Sequence, residues 1–267
     1  MATFIRYVGT RRFRWRLLYL IRGLFRATGR SWNDFYAWML DYQDRQLTLD
    51  QILARPRNPG VFKGLWDWSR GEYYLDFLKQ HGFEPTNRFL DCGCGYGRVA
   101  IPVMQFQDGS GEYIGTELSR RRIDVAHEWI RREGLSGKPH QLVVSKDNRM
   151  PFLDDRSVDI VWALSVFNHM PDRELEVLLA AIARVLRPDG RLFAYYVVPE
   201  PGAPETVKTF RRSDATMEKF LSAAGLTGRL LDDWDDDLGD NKPTRSRMRL
   251  CMKKTPAGAD TALQGPK

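Results

Sequence analysis

Apolar residues recur along this chain in two rhythms. A spacing of three to four residues predicts helices over Gly71–His81, Gly97–Phe106, Ser119–Glu133, Asp172–Leu186 and Ser213–Ala224. Short apolar runs between them predict strands near Arg88–Asp91, Glu112–Thr116, Gln141–Val144, Val158–Leu164, Arg191–Val198, Gly228–Leu231 and Arg247–Met252. The punctuation agrees with this division. Ser119 is placed as an N-cap, Arg187-Pro188-Asp189-Gly190 stops one helix and Gly225 closes another. Strands that alternate with helices predict a parallel sheet covered on both faces. Near the N-terminus Phe13, Leu17, Leu20, Ile21, Leu24 and Phe25 follow helical spacing, while Arg14, Arg22 and Arg26 fall on another face. That is a basic amphipathic helix.

Composition divides the chain into three regions. Residues 1–59 are rich in arginine and aromatics and end in the breaker run Arg55-Pro56-Arg57-Asn58-Pro59-Gly60. Residues 60–254 carry the alternating elements, and 255–267 read as a small, polar tail. Of 267 residues, 43% are hydrophobic and 28% charged, which excludes collagen-like and wholly disordered classes. The net charge of +7 is local. Eight of the 41 basic residues lie in residues 1–30 with no acid among them, so the rest of the chain sets 33 basic residues against 34 acids. A nearly neutral body argues against a large phosphate-binding surface, and no DNA partner is expected. The N-terminal apolar run Leu17–Ile21 is far too short to span a bilayer. The 3 cysteines are an odd count, and Cys92 and Cys94 stand too close for an ordinary disulfide framework. A reducing, cytoplasmic setting is therefore expected. A lone Cys-x-Cys lacks the second ligand pair of a structural zinc site, and no metal is expected.

The chemistry concentrates in Asp91-Cys92-Gly93-Cys94-Gly95-Tyr96-Gly97, between a strand and a helix. Glycines let the chain turn sharply there and bring backbone N–H groups close to a ligand. Glu117 ends the next strand, where a carboxylate can accept both hydroxyl hydrogens of a ribose. A dinucleotide fingerprint would put its third glycine at position 98, which is Arg98. No lysine follows as a phosphate loop requires. A ligand with a cationic sulfonium and an amino-acid tail fits this order better than one with a pyrophosphate.

With these residues the chain resembles the class I S-adenosylmethionine-dependent methyltransferases of the single-domain, small-molecule type. Phe89-Leu90-Asp91-Cys92-Gly93-Cys94-Gly95-Tyr96-Gly97 is similar to the first motif, and Glu117 in Ile114-Gly115-Thr116-Glu117-Leu118-Ser119 to the second-strand acid. Asp147-Asn148-Arg149-Met150-Pro151-Phe152 resembles the adenine-contacting loop. Val158 to Ser165, leading to Asn168-His169-Met170-Pro171-Asp172, resembles the fourth strand and its exit. Val185 to Leu192 resembles the turn into the fifth strand. The resemblance covers about residues 72–254. It implies an α/β, Rossmann-like, doubly wound sheet of seven mostly parallel strands, the last one inserted antiparallel, behind an N-terminal helical extension. It implies S-adenosylmethionine as cofactor, contacted by Asp91, Gly93, Gly95, Gly97, Glu117, Asp147, Asn148 and Ser165. One departure stands out: Asp147 lies four residues before Pro151 and Lys146 takes the usual place of the acid. Either the loop is one residue shorter, or Asp147 falls short of the adenine amino group. Methyl transfer in this family is an in-line displacement that needs no covalent intermediate. Cys92 and Cys94 are accordingly read as small side chains under a tight loop.

Other residues divide between sharp and plain readings. His169, after the fourth strand, is the candidate catalytic base for a hydroxyl or amine acceptor, or else a residue that caps its turn or packs on the cofactor. His81, His127 and His140 read as solvent-facing. One of Tyr195 and Tyr196 is expected to face the site. The run Asp232-Asp233-Trp234-Asp235-Asp236-Asp237-Leu238-Gly239-Asp240 reads as a solvated loop ahead of a cation site. Trp66, Trp68, Tyr73 and Tyr74 form either packing or a lid. The arm at 13–26 either contacts an anionic membrane peripherally or docks on the domain with its arginines snorkelling; RNA binding and a presequence rank behind. The acceptor is expected to be a small molecule, a glycan or a lipid-linked compound. RNA or protein methylation guided by the arm, and a non-catalytic cofactor-binding scaffold, are the rival readings.

Overall fold

The computed structural model describes residues 11–54, 70–199, 209–234 and 246–254. Three helices come first: α1 (Arg11–Ala27), α2 (Trp32–Asp44) and α3 (Leu49–Ala54). Then follow α4 (Arg70–Gln80), β1 (Arg88–Cys92), α5 (Ala100–Phe106), β2 (Glu112–Glu117), α6 (Arg120–Arg132), β3 (His140–Val144) and β4 (Val158–Ala163). The chain ends with α7 (Asp172–Val185), β5 (Leu186–Val197), α8 (Asp214–Ala223), β6 (Leu226–Leu230) and β7 (Ser246–Lys253).

The strands form one seven-stranded sheet in the order β3-β2-β1-β4-β5-β7-β6. Strands β1 to β5 pair in parallel, and β7 enters antiparallel to both β5 and β6. This is the expected α/β architecture. The strand order reverses at β1, between β2 and β4, and open α/β sheets bind ligands at the carboxyl ends beside such a reversal. Alternation along the strands sends neighbours to opposite faces. Leu90, Val161 and Leu192 pack with α7 on one side, while Phe89, Trp162 and Phe193 pack with α4 and α5 on the other.

Several expectations need adjustment. The second helix starts at Ala100, three residues later than predicted, because Gly97 still belongs to the loop with φ +91°. The Arg187-Pro188-Asp189-Gly190 stop does end α7, but it lies within the strand run that opens at Leu186, at a register shift between Val158 and Ile160. Tyr195 and Tyr196 do point to opposite faces, yet both are buried in the core and neither lines the site described below. Sheet alternation placed them correctly; helices cover both faces at that position, so no face was left for a ligand. Tyr74 is core, as the packing reading had it. Trp66, Trp68, Asp235 to Asp240 and the tail at 255–267 lie outside the described residues.

The N-terminal helices are built onto the sheet. Ser31 caps α2: its hydroxyl accepts the N–H of Asp34, whose carboxylate accepts the N–H of Ser31. From α2, Trp32 and Phe35 enter the same core as α7. In α1, Leu18, Ile21 and Phe25 pack against that core, with Phe25 edge-on to Phe35 at 5.8 Å. The docking reading of the arm holds for this face of α1. Its other face leaves Leu20 and Leu24 about two-thirds exposed.

Candidate active site

The glycine loop starts where β1 ends. The N–H groups of Gly93 and Cys94 donate to the Thr116 carbonyl at 2.8 and 2.9 Å, which ties the loop to β2. Gly93, Gly95 and Gly97 have φ of +75°, +57° and +91°, a region that favours glycine. Their surroundings separate their roles. A Cβ on Gly93 would come 2.6 Å from Val166 Cγ2, and one on Gly97 would press on Ala126 of α6 at 3.3 Å. A Cβ on Gly95 would enter open space, and Gly95 lines a cavity of about 360 Å³. Gly95 thus leaves open space towards the cavity, whereas Gly97 permits close helix packing.

Glu117 closes the cavity from β2. One carboxylate oxygen, Oε2, accepts the Gly95 N–H at 3.1 Å; Oε1 accepts those of Leu118 (2.7 Å) and Ser119 (3.3 Å). Three backbone donors hold the carboxylate in place, and Oε2 keeps capacity for a further donor. Arg122 balances its charge and forms a buried pair with Asp44 at 2.9 Å. Asp91 sits below the loop and does not line the cavity. It accepts the Tyr113 hydroxyl at 2.7 Å, and burial pushes its carboxyl up to about 7. Burial likewise pushes the Cys92 and Cys94 thiols well up, so neither is a ready nucleophile.

The far wall comes from two loops. Asn148 is buried at φ +59° and Ser165 stands at φ +58°; both line the cavity. Asp147 does not. It is exposed, and its carboxylate accepts the Arg149 N–H at 3.1 Å within its own turn. His169 lines the cavity with its ring stacked on Tyr36, centroids 5.5 Å apart. Its carbonyl accepts the Trp32 indole N–H at 3.0 Å. His81, in contrast to its solvent-facing reading, lies 2.9 Å from Asp233. Among the described residues no group of three or more His, Cys, Asp or Glu is placed to hold a metal.

Sequence reasoning missed one wall. Trp32, Asn33, Tyr36, Leu40 and Gln43 of α2 cover the cavity. Trp32, Tyr36 and Leu40 repeat at i, i+4 after a capping box, a signal the arginine content of the arm overshadowed. Polar ties fasten this lid. The Ser119 hydroxyl donates to Asp41 at 2.5 Å, Arg122 pairs with Asp44, and Asn33 donates to the Lys146 carbonyl.

A doubly wound sheet with an inverted strand, a glycine loop opening onto a cavity and a buried acid at the end of β2 define a nucleoside-binding site of the class I methyltransferase kind. Residues 89–190 match the family described as "Methyltransferase domain". Residues 89–190 therefore carry a methyltransferase domain, within a fold of the class I S-adenosylmethionine-dependent kind. It is 36% identical over 106 residues to the methyltransferase GfsG of Streptomyces halstedii, covering 40% of this chain and 36% of that protein. It is 35% identical over 129 residues to a sterol 24-C-methyltransferase of Aspergillus fumigatus, covering 48% of this chain and 32% of the other. The chain thus matches about a third of the length of these curated relatives. In fold it is similar to magnesium protoporphyrin IX methyltransferase from Synechocystis PCC 6803 solved with bound S-adenosylmethionine, with a TM-score of 0.60 at 16% identity over 84% of this chain and 98% of that one.

Proposed function

We propose that the protein transfers a methyl group from S-adenosylmethionine to a small, largely apolar acceptor. The carrying observation is the cavity itself. Its charged lining, Glu117, Arg98 and Arg122, gathers at the glycine-loop end, while Trp32, Val166, Met170 and Leu178 line the rest around His169 and Tyr36. The residues fit the cofactor: Gly95 leaves open space on the loop, Glu117 Oε2 has room for a ribose hydroxyl, and Asn148 and Ser165 complete the walls. Bound S-adenosylmethionine supplies a methyl already activated by its sulfonium. The chain's own task is to orient the acceptor, exclude water and take up a proton.

His169 is the group we assign to that proton. Its ring stacks on Tyr36 and its Nε2 lies 3.3 Å from Asn168 Nδ2, while the Trp32 indole N–H anchors its backbone carbonyl. His169→Gln should retain cofactor affinity and lose about 10²–10⁴-fold in turnover with a hydroxyl acceptor. An unchanged rate would leave His169 a packing residue. The acceptor class is tested by incubating host extract with labelled-methyl cofactor. Label should appear in the organic-solvent phase; label in RNA or protein would replace the small-molecule reading.

We also infer peripheral contact with an anionic membrane through residues 13–26, on the cytoplasmic side. Tyr19, Leu20 and Leu24 are three of the four exposed large hydrophobic side chains among the described residues, and the segment around them is arginine-rich without an acid. The six arginines of α1 disfavour self-pairing of two such helices. No helix among the described residues is long and apolar enough to cross a membrane. The protein should sediment with phosphatidylglycerol vesicles and release in high salt. The double variant Leu20→Glu, Leu24→Glu should stay folded, since both sites face outward, and should stay in the supernatant. Equal sedimentation of that variant would refute the contact.

A further inference from the structure

Asn33 stands at the second position of α2, only 3% exposed, and lines the cavity. Its Nδ2 donates to the Lys146 carbonyl at 2.6 Å. A carbonyl oxygen only accepts, so the amide nitrogen must face Lys146 and the orientation of the side chain is determined. The same orientation leaves Asn33 Oδ1 buried and without a donor. A buried amide oxygen in this state is rare in folded proteins and calls for a partner that the protein itself does not supply.

Topology says which end of the cavity this oxygen serves. Consecutive residues of α2 reach apart: Trp32 to the His169 carbonyl beyond β4, Asn33 to the Lys146 carbonyl beyond β3. The Lys146 loop also brings Ser145 and Asn148 to the cavity, on the side of Glu117 and away from His169. The acid expected to recognise the base from this loop, Asp147, is exposed and engaged by the Arg149 N–H. The loop therefore provides no carboxylate here, and an orphaned acceptor from the lid stands beside it.

We propose that Asn33 Oδ1 accepts the exocyclic amine of the cofactor's adenine, so that the lid helix rather than the β3–β4 loop acid reads the base. This rests on the nucleoside reading of the cavity given above. It assigns a specificity role to α2: a 6-amino purine offers a donor to Oδ1, while a 6-oxo purine sets oxygen against oxygen.

The test is calorimetric titration of the full chain with three ligands: S-adenosylhomocysteine, its 6-oxo (inosine) analogue and the analogue with hydrogen at position 6. The wild type should bind the adenine form about tenfold or more tightly than either analogue. Asn33→Leu should lose affinity for the adenine form and bind all three within about threefold of one another. Asn33→Ser, small and polar but too short to reach, should behave likewise and serves if the leucine variant fails to fold. A wild type that does not discriminate, or variants that keep the full preference, would overturn the assignment while leaving the cofactor reading intact. A wild type with no affinity for S-adenosylhomocysteine would remove the cofactor reading, and this proposal with it.

Discussion

Gly95 and Glu117 meet at a single hydrogen bond, the Gly95 N–H to Glu117 Oε2 at 3.1 Å, and in the proposed cofactor site each would face a different part of the ligand. Gly95→Val adds a branched side chain at φ +57°, where such residues are strained, and fills the open space on the loop. Calorimetry should detect no binding of S-adenosylhomocysteine. Glu117→Gln keeps the shape but removes the charge. Affinity should fall by about tenfold or more, since hydrogen bonds to a charged group contribute about 1.5–3 kcal/mol. Asp91 gives a prediction of the opposite electrostatic kind. Burial raises its folded-state pKa to about 7 from an ordinary 3.8. The folded chain then binds a proton that the unfolded chain releases, so stability is highest below pH 4 for this group and declines as pH rises to about 7. The contribution is on the order of a few kcal/mol. Asp91→Asn still offers an oxygen to the Tyr113 hydroxyl and should flatten the fall in melting temperature between pH 5 and 7.5. A slope equal to the wild type would place the raised pKa elsewhere.

At the scale of elements, α2 matters most, because it belongs both to the core and to the site. Its inner side carries Phe35 and Met39, each at most 2% exposed, and the adjoining row carries Trp32, Tyr36 and Leu40 over the cavity. Asp44 closes its last turn through the buried pair with Arg122. Removing one partner of such a pair typically costs about 3–5 kcal/mol, because the other charge remains buried. Glu117 lies close enough to compensate Arg122, so Asp44→Ala should fall at the low end of that range in urea denaturation. A loss below about 1 kcal/mol would mean the lid is not held there. The helical spacing of α4, α6 and α7 was read from the sequence, whereas that of α2, though present, was missed. The position of α2 over the cavity was not legible there, since neither Ser119–Asp41 nor Asn33–Lys146 joins residues near in the chain.

For the whole molecule the question is how much of the N-terminal segment the fold needs. Deleting residues 1–30 removes α1, whose contacts with the core are partly exposed, and should leave a folded protein of lower melting temperature that still binds S-adenosylhomocysteine. Deleting residues 1–45 removes Trp32, Phe35 and Met39 as well. Burial of each such side chain contributes about 1.5–3 kcal/mol, and a domain of this kind has about 5–15 kcal/mol in total. That truncation should lose cooperative unfolding and cofactor binding together. Circular dichroism melts of the two deletions decide the point: a stable, cofactor-binding chain starting at residue 46 would make α2 an accessory.

Local information determined much of this protein. The alternation of periods specified strands and helices, the turn residues specified their ends, and the order strand, glycines, helix, strand, acid pointed to the end of the sheet where the cavity lies, because these features act between residues near in sequence. Even so, the roles within Gly93, Gly95 and Gly97 differ, and only the packing of Val166 and Ala126 against the loop separates them. Asp147 stands one residue from the usual place of the motif's acid, and it accepts the Arg149 N–H within its own turn, outside the cavity. The Arg-rich N-terminal segment left membrane contact and docking on the domain both open, because composition reports charge and not contact. Tertiary structure folded α2 back onto the sheet, since burying Trp32, Phe35 and Met39 stabilises the chain more than solvating them, and this long-range burial decided which residues form the lid.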